Sequence, residues 1–208
     1  MTFSKPRARF DWSAPPGSTR PRTGKFAAIV SVTAIVLGAG AALYPSVTNV
    51  VAAHAQAALR KTDLVPIKDA HNGDPVMRLR ILAIGLDVRV VEGTAEKDLE
   101  VGVGHYPDTG APGDEGNVAL AGHRTTYGKP FARLDELKPG DEIDIRSADG
   151  DFRYEIVRDP WVVAPTDWTP IRRFPKTGSF VTLTSCHPEG SASSRIVARA
   201  RLVAEVSR

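Results

Sequence analysis

One cysteine, one histidine and one arginine in this sequence are the residue types of a nucleophilic active site. Cys186 is the single cysteine of the 208 residues and directly follows the segment VTLTS at 181–185. His123 lies in the segment GNVALAGHRTTYG at 116–128, and Arg195 follows the cysteine by nine residues. A thiolate can attack a carbonyl carbon, an imidazole can move protons, and a guanidinium can bind a developing oxyanion. Together they would supply a nucleophile, a proton-transfer partner and a fixed cation.

A lone cysteine is by default a small buried side chain, so a catalytic role for it has to be supported by its position in the sequence. Cys186 ends a run rich in β-branched residues, which predicts a position where a strand leaves its sheet. His187 is adjacent, but neighbouring side chains of an extended strand point to opposite faces. His123 follows a strand-like run and Gly122, and Arg195 begins the last long strand. We therefore expect His123, rather than His187, to be the proton-transfer partner on the same rim.

Strand periodicity dominates the part of the chain that must position these residues. Alternating or short apolar runs occur at 76–82, 86–91, 117–121, 142–145, 152–157, 161–164, 179–185 and 195–206. Short helices are predicted at 95–99, 131–137 and 166–172. Many short strands with a few helical insertions favour a mainly β fold, a closed barrel of about eight strands, over residues 76–208.

Charge and hydropathy divide the rest of the chain. The net charge is +3, but residues 1–25 carry six basic residues against Asp11 alone, so the basic excess belongs to a tail predicted to be disordered and gives no reason to expect nucleic-acid binding. Residues 26–44 contain no charge, and as a helix they would cover about 28 Å, close to the hydrocarbon core of a bilayer. Residues 45–75 are predicted to form a helical stalk and linker.

The basic flank lies on the N-terminal side of the apolar segment, which predicts a single-pass membrane protein with a cytoplasmic N-terminus and an extracellular catalytic domain. The alternative is a cleaved signal peptide, since residues 53–55 read Ala-His-Ala. That site lies well beyond the apolar segment, and the segment is longer than a usual signal core. An uncleaved signal anchor is the preferred interpretation.

No metal or other cofactor is expected. Asp108, Asp114 and Glu115 are interrupted by proline and glycine and lack an EF-hand pattern, so they are interpreted as solvated loop charges. A single cysteine with scattered histidines does not have the paired spacing of a zinc site.

The three motifs, in this order and spacing, resemble those of the sortases, membrane-anchored cysteine transpeptidases of Gram-positive bacteria. The resemblance covers essentially all of residues 76–208. Tyr127, together with GVGHYP at 102–107, is most similar to class E, the housekeeping type of high-GC actinobacteria. One departure is Ser185, where the family usually has threonine before the cysteine.

The resemblance implies that Cys186 cleaves the Thr-Gly bond of a C-terminal sorting signal on secreted proteins and that an amine of a lipid-linked peptidoglycan precursor resolves the thioester. It implies that His123 moves the protons and that Arg195 stabilises the oxyanion. For class E it implies a Leu-Ala-x-Thr-Gly signal, preferred over Leu-Pro-x-Thr-Gly, with Tyr127 shaping the pocket. The further candidates for substrate binding are His105, which could equally be structural, Thr184 and Ser185.

Two other functions stay open at this point. An L,D-transpeptidase also uses cysteine and histidine on an exported β-rich domain, but its motif has glycine before the cysteine and arginine two residues after it, where this sequence has Ser185 and Pro188. A membrane-tethered scaffold without activity would keep the fold, but all three expected catalytic residues are present.

Overall fold

The computed structural model describes residues 24–172 and 177–206. Nearly all of the tail predicted to be disordered, residues 1–25, lies outside these ranges. By its internal contacts the chain divides into two units, one ending at Ala41 and the other beginning at Ala42. The catalytic candidates all belong to the second unit.

The first element is a long helix, α1 (Gly24–Leu59). Its stretch Ile29–Leu59 is long and apolar enough to cross a membrane. Ile29, Ile35 and Leu37 are all more than 60% exposed, as expected for side chains whose solvent would be lipid. The hydroxyl of Thr33 donates to the Ile29 carbonyl at 2.9 Å, so this polar side chain is satisfied within the helix.

Within the described residues, nine strands and two short α-helices follow. The helices are α2 (Glu96–Leu99) and α3 (Thr169–Arg172). The strands are β1 (Pro75–Ile81), β2 (Leu86–Glu92), β3 (Val103–His105), β4 (Gly116–Gly122), β5 (Glu142–Ser147), β6 (Asp151–Ile156), β7 (Trp161–Val163), β8 (Ser179–His187) and β9 (Ser194–Val206).

The strands form one sheet that closes on itself. Their order is β6-β5-β1-β2-β3-β4-β8-β9-β7, and β6 also pairs with β9. Eight strands therefore make a closed barrel, which leaves no open edge among them, and β7 adds to β9 outside the ring. The predicted fold class, a closed barrel of about eight strands with few short helices, is confirmed.

The length of β9 makes this closure possible. Residues in the first two thirds of β9 pair with β8, from Ser194 opposite His187 to Arg201 opposite Phe180. The remainder pairs with β6, ending with Val206 opposite Asp151. The single strand β9 thus joins β8, which carries Cys186, to the hairpin of β5 and β6, and it fixes the register of both pairings.

The core fills the barrel with side chains from alternating positions of every long strand. Tyr154 is the largest fully buried side chain, and its hydroxyl accepts a hydrogen bond from the Gly113 N–H at 2.9 Å. Other fully buried members are Met77, Leu79, Ile81, Leu120, Phe131, Ile143 and Leu183. Burying such side chains contributes about 1.5–3 kcal/mol each relative to exposure, so the rim residues rest on a rigid scaffold.

Candidate active site

Three neighbouring strands bring the cysteine, the histidine and the arginine together. In the antiparallel pair of β8 and β9, Cys186 lies directly opposite Arg195, so their side chains project from the same face of the sheet. On its other edge β8 pairs in parallel with β4, where Ala121 is opposite Thr184. Continuing this register by two residues brings His123 level with Cys186. His123, Cys186 and Arg195 all line one cavity of about 220 Å³.

The walls of this cavity are mostly apolar and aromatic. The rings of Tyr106 and Trp168 meet edge to face at a centroid distance of 6.3 Å. Other lining residues are Leu99, Val163, Pro165, Ile171 and Val197. A second cavity, of about 540 Å³, shares Tyr106, Trp168 and Ile171 with the first. The two cavities are therefore adjacent, and together they could accommodate an extended peptide.

Cys186 is a free thiol and is partly exposed where β8 reaches the rim. The next residue, His187, pairs with Ser194, and its Nδ1 is buried without a hydrogen-bond partner among the described residues. His187 does not line the cavity that contains the thiol. Strand alternation explains this difference, because neighbouring side chains leave a strand on opposite faces.

His123 directly follows β4 and is half-buried, with no hydrogen-bond partner for its Nε2 among the described residues. Burial lowers the pKa of the imidazole below its ordinary value of 6.5, and the negative charges of Glu100 and Glu96 offset part of this effect. The imidazole is therefore mainly neutral at pH 7. Its free Nε2 and its neutral form suit a group that must accept a proton and then return it.

Gly122 and Phe131 fix the place where His123 leaves the sheet. A Cβ atom at Gly122 would lie 2.8 Å from the Phe131 ring, so only glycine lets the end of β4 pack this closely. The Phe131 N–H donates to the His123 carbonyl oxygen at 3.1 Å. Phe131 thus holds the backbone on both sides of this junction, by packing against Gly122 and by bonding to the His123 carbonyl.

The guanidinium of Arg195 is tied to the backbone of its own loop. Its Nη1 donates to the carbonyl oxygens of Ala192 and Ser194, at 3.0 and 2.9 Å. These bonds restrict the rotation of a long side chain. Arg195 therefore presents a fixed positive charge at the rim beside the thiol.

Thr184 and Ser185 also line the cavity, and their hydroxyls join β8 to β4. Ser185 Oγ donates to the Gly122 carbonyl at 2.7 Å, and Thr184 Oγ1 donates to the Leu120 carbonyl at 3.2 Å. Since the Thr184 proton is used there, the Tyr106 hydroxyl is the donor in its 3.2 Å contact with Thr184 Oγ1. Both residues thus help to hold the cysteine strand against the histidine strand.

His105, a candidate for substrate binding, lies elsewhere. It is fully buried and does not line the cavity that contains Cys186. Its Nδ1 is 2.8 Å from Glu92 Oε2, and its Nε2 lies 3.0 Å from Thr109 Oγ1 and 3.2 Å from the Gly110 carbonyl. The Gly110 carbonyl can only accept, so Nε2 carries a proton. His105 has no accessible surface, and its contacts hold the loop after β3.

Tyr127 does not line the cavity either, but it contacts the histidine. Its ring lies against the His123 imidazole, with the centroids 5.0 Å apart and the planes tilted by 34°. Its φ is +50°, and Gly128 and Lys129 follow at +78° and +42°. Left-handed backbone costs about 1–2 kcal/mol for each residue that has a side chain. Such strain persists only where surrounding contacts hold it.

Several residues of the site were not predicted from the sequence. Tyr106 and Trp168 belong to segments without clear periodicity, although an aromatic residue before Pro107 is a usable signal. Arg124, the residue after His123, is 4% exposed and pairs with Asp135 at 2.8 Å. This ion pair links the end of β4 to the turn that contains Asp135. The buried charge of Arg124 could not be recognised without knowing which acidic group reaches it.

Within residues 24–172 and 177–206 there is no group of three or more His, Cys, Asp and Glu side chains that could hold a metal ion. Asp108 and Glu115 line the second cavity, and neither belongs to such a group.

Comparison with known proteins matches the barrel to one family. A family model for the sortase domain matches residues 79–203. Sortase D of Bacillus subtilis is 37% identical over 122 residues, which is 57% of this chain and 59% of that protein. Sortase SrtE1 of Streptomyces coelicolor is 33% identical over 140 residues, which is 61% of this chain and 40% of that protein. The chain thus spans about half the length of these relatives.

Solved structures give the same result for the fold. Sortase E from Streptomyces avermitilis superposes with a TM-score of 0.60 at 34% identity, covering 65% of this chain and 92% of that one. A Sortase D5 transpeptidase of Clostridium perfringens superposes with a TM-score of 0.60 at 30% identity, covering 71% and 88%.

Proposed function

This chain belongs to the sortase family, and from that premise we propose that it is a membrane-anchored cysteine transpeptidase. It would cleave the Thr-Gly bond of a C-terminal sorting signal and join the threonine carbonyl to an amine of a peptidoglycan precursor. The observation that carries this proposal is that Cys186 lies opposite Arg195 and level with His123 on three adjacent strands lining one cavity.

In the first half of the reaction, the neutral imidazole of His123 accepts the thiol proton of Cys186 as Sγ attacks the threonine carbonyl carbon. The carbonyl oxygen becomes an oxyanion, and the carbon becomes tetrahedral. The intermediate collapses when the carbon–nitrogen bond breaks, and the imidazolium gives its proton to the leaving glycine amine. The products are a thioester on Cys186, a free glycine amino terminus and a neutral His123.

In the second half, an acceptor amine attacks the thioester carbon and gives one proton to His123. The carbon–sulfur bond breaks, and the imidazolium returns the proton to the departing sulfur. The enzyme then has its starting protonation, and a new amide joins threonine to the acceptor. Water could replace the amine, so the apolar walls of the cavity support transfer by limiting access of water to the thioester.

Arg195 would stabilise the oxyanion in both halves. Its guanidinium is permanently charged and is restrained by two backbone carbonyls. A donor held in place before the reaction costs little reorganisation when the negative charge appears on the oxygen. This would place the attacked carbonyl between Cys186 and Arg195, within the width of one strand pair.

For the substrate, we propose a Leu-Ala-x-Thr-Gly signal, as expected of class E. The similarity to sortase E and SrtE1 of Streptomyces supports this class, while the similarity to sortase D leaves the second signal position to be tested. Tyr127 would act at this position only indirectly, since it borders His123 rather than the cavity. The peptide would lie along the depression walled by Tyr106, Trp168 and Ile171.

For the location, we propose an uncleaved anchor, with residues 1–25 in the cytoplasm and the barrel outside the cell. The apolar helix and the basic residues on its N-terminal side support this orientation. The partners would then be secreted proteins that carry the sorting signal and a lipid-linked precursor at the outer membrane surface.

A peptide panel tests this proposal. The full chain in detergent micelles is incubated with peptides that differ only at the second signal position, with a glycine-based amine present, and products are identified by mass spectrometry. We expect Ala to be preferred over Pro and the amine to be joined to threonine. Hydrolysis without transfer would contradict the transpeptidase, and a preference for Pro would contradict the class E signal.

A further inference from the structure

The part of α1 beyond Ala41 packs on the barrel through one face. Thr48, Ala52 and Gln56 lie four residues apart along it, and the first two are almost completely buried. Val50, on the opposite face of the helix, is more than half exposed. This end of the helix is therefore part of the folded domain.

Gln56 fixes the position of the helix, because its side-chain amide bonds to main-chain groups of the barrel as the backbone of a neighbouring strand would. Its Nε2 donates to the carbonyl oxygens of Arg89 and Val101, at 3.0 and 2.8 Å, and its Oε1 accepts from the Arg89 N–H at 2.8 Å. A Cβ atom at Gly102 would lie 2.6 Å from Gln56 Nε2, so the fit requires glycine there. Three hydrogen bonds to backbone hold the helix in one register.

About two turns of the helix closer to the membrane segment, α1 holds the left-handed turn at residues 127–129. Asn49 Oδ1 accepts from the Gly128 N–H at 2.8 Å, and Thr48 Oγ1 accepts from the Tyr127 N–H at 3.4 Å. Ala52 is in van der Waals range of a Cβ at Gly128. Strained backbone needs such contacts to persist, and here the helix supplies them.

The same turn supports the histidine. The Tyr127 hydroxyl donates to Glu100 Oε1 at 3.1 Å. Its proton is used there, so the Tyr44 hydroxyl must be the donor in its 3.1 Å contact with Tyr127. A chain of hydrogen bonds from Tyr44 through Tyr127 to Glu100 thus holds the ring that lies against the His123 imidazole.

We propose that the face of α1 formed by Tyr44, Thr48 and Asn49 is a positioning element for His123. It holds the left-handed turn whose Tyr127 ring covers the imidazole, so that the histidine keeps one orientation toward the cavity. These three residues touch neither the cavity nor Cys186, and they act only through Tyr127. The inference rests on the proposed function for its kinetic consequence but not for its structural one.

Paired variants of the full chain in detergent micelles test it. Thr48→Val with Asn49→Ala removes both acceptors, whereas Thr48→Ser with Asn49→Asp keeps an oxygen at each position. We expect kcat to fall about tenfold in the first pair, with KM for the peptide within about twofold, because only orientation is lost. The second pair should stay near the unmodified enzyme. Ser46→Ala with Val47→Thr, on the exposed face, is the matched control.

The NMR signal of the His123 Cε1–H gives a readout that does not need turnover. The chain has five histidines, so this signal can be assigned by substitution. In the Thr48→Val with Asn49→Ala pair, the Tyr127 ring should move away from the imidazole. The His123 signal should then shift toward the position of a solvated histidine. Tyr44→Phe, a milder change, should move it in the same direction.

An unchanged His123 signal and unchanged kcat in the Thr48→Val with Asn49→Ala pair would overturn the proposal. So would an equal loss in the pair that keeps both acceptors. If the unmodified enzyme turned over no peptide, the proposed function would fail, and the histidine signal alone would still decide whether α1 positions His123.

Discussion

Cys186 and Arg195 lie directly opposite one another in the antiparallel pair of β8 and β9. Their Cβ atoms in such a pair are about 4.5–5.5 Å apart. A carbonyl carbon bonded to Sγ would therefore hold its oxygen within reach of the guanidinium. Arg195 is held in this relationship by hydrogen bonds to the carbonyl of Ala192, in the loop that joins the two strands, and to that of Ser194, the first residue of β9.

The first prediction concerns Arg195. Arg195→Ala should lower kcat by about 10²–10³, the usual effect of removing one oxyanion donor, with little change in KM for the peptide. The kcat of Arg195→Lys should lie between those of Arg195→Ala and the unmodified enzyme, since lysine keeps the charge but lacks the planar guanidinium. Steady-state kinetics measures both. Equal activity of the Ala and Lys variants would show that the charge at this position is not used.

The second prediction concerns the pH dependence of kcat/KM. If neutral His123 is the active form, the acid limb should lie below pH 6.5, because burial lowers the pKa of this imidazole. Glu100→Gln removes a negative charge that stabilises the imidazolium, so the pKa should fall further and the limb should move to lower pH. Gln keeps an acceptor for Tyr127. Glu142→Gln, on β5, is the control, and a shift of the limb to higher pH in Glu100→Gln would contradict the assignment.

The third prediction concerns the bond between the cysteine and histidine strands. Ser185→Ala leaves the buried Gly122 carbonyl without its 2.7 Å hydrogen bond, which should lower the free energy of unfolding by about 1–3 kcal/mol. Turnover should also fall, since Gly122 precedes His123. Ser185→Thr keeps the hydroxyl and should restore both. Chemical denaturation gives the stability, and an Ala variant as stable as the Thr variant would show that this bond contributes nothing.

The fourth prediction concerns the buried pair of His105 and Glu92. His105→Ala leaves the buried Glu92 side chain without its 2.8 Å hydrogen bond and should lower the free energy of unfolding by about 1–3 kcal/mol. Replacing both residues with Leu should cost less than the single change. At temperatures where the single variant is folded, its KM for the peptide should match that of the unmodified enzyme. A raised KM would return His105 to the substrate groove.

Local pattern was enough to predict most of the barrel. Alternating and short apolar runs located eight of the nine strands in the described residues. Short helices were predicted near α2 and α3, and the third predicted helix, at 131–137, is only the short 3-10 helix Leu134–Glu136. The missing strand, β3, has only three residues and contains Gly104, so it carries no periodic signal. It forms because β2 and β4 flank it on both sides. Alternation suggests a closed barrel, but it does not show which strands pair to close it, here β6 and β9.

The candidate site was predictable where it depended on strand ends and not where it depended on distant partners. Cys186, His123 and Arg195 lie together because each is at the end of a strand on one rim. His105 resembled them in sequence, but Glu92, thirteen residues earlier, makes it structural. The packing of Thr48 and Asn49 on the barrel had no signal, since small and polar residues in an alanine-rich helix do not show which face will be buried.

In the proposed reaction, Cys186 forms a thioester with the threonine of a sorting signal. Intact-protein mass spectrometry of the full chain, incubated with a Leu-Ala-x-Thr-Gly peptide and no acceptor, measures it directly. We predict an increase equal to the mass of the peptide fragment ending at threonine, its loss when an amine is added, and its absence in Cys186→Ala. Cleavage of the Thr-Gly bond by Cys186→Ala at an undiminished rate would contradict this mechanism.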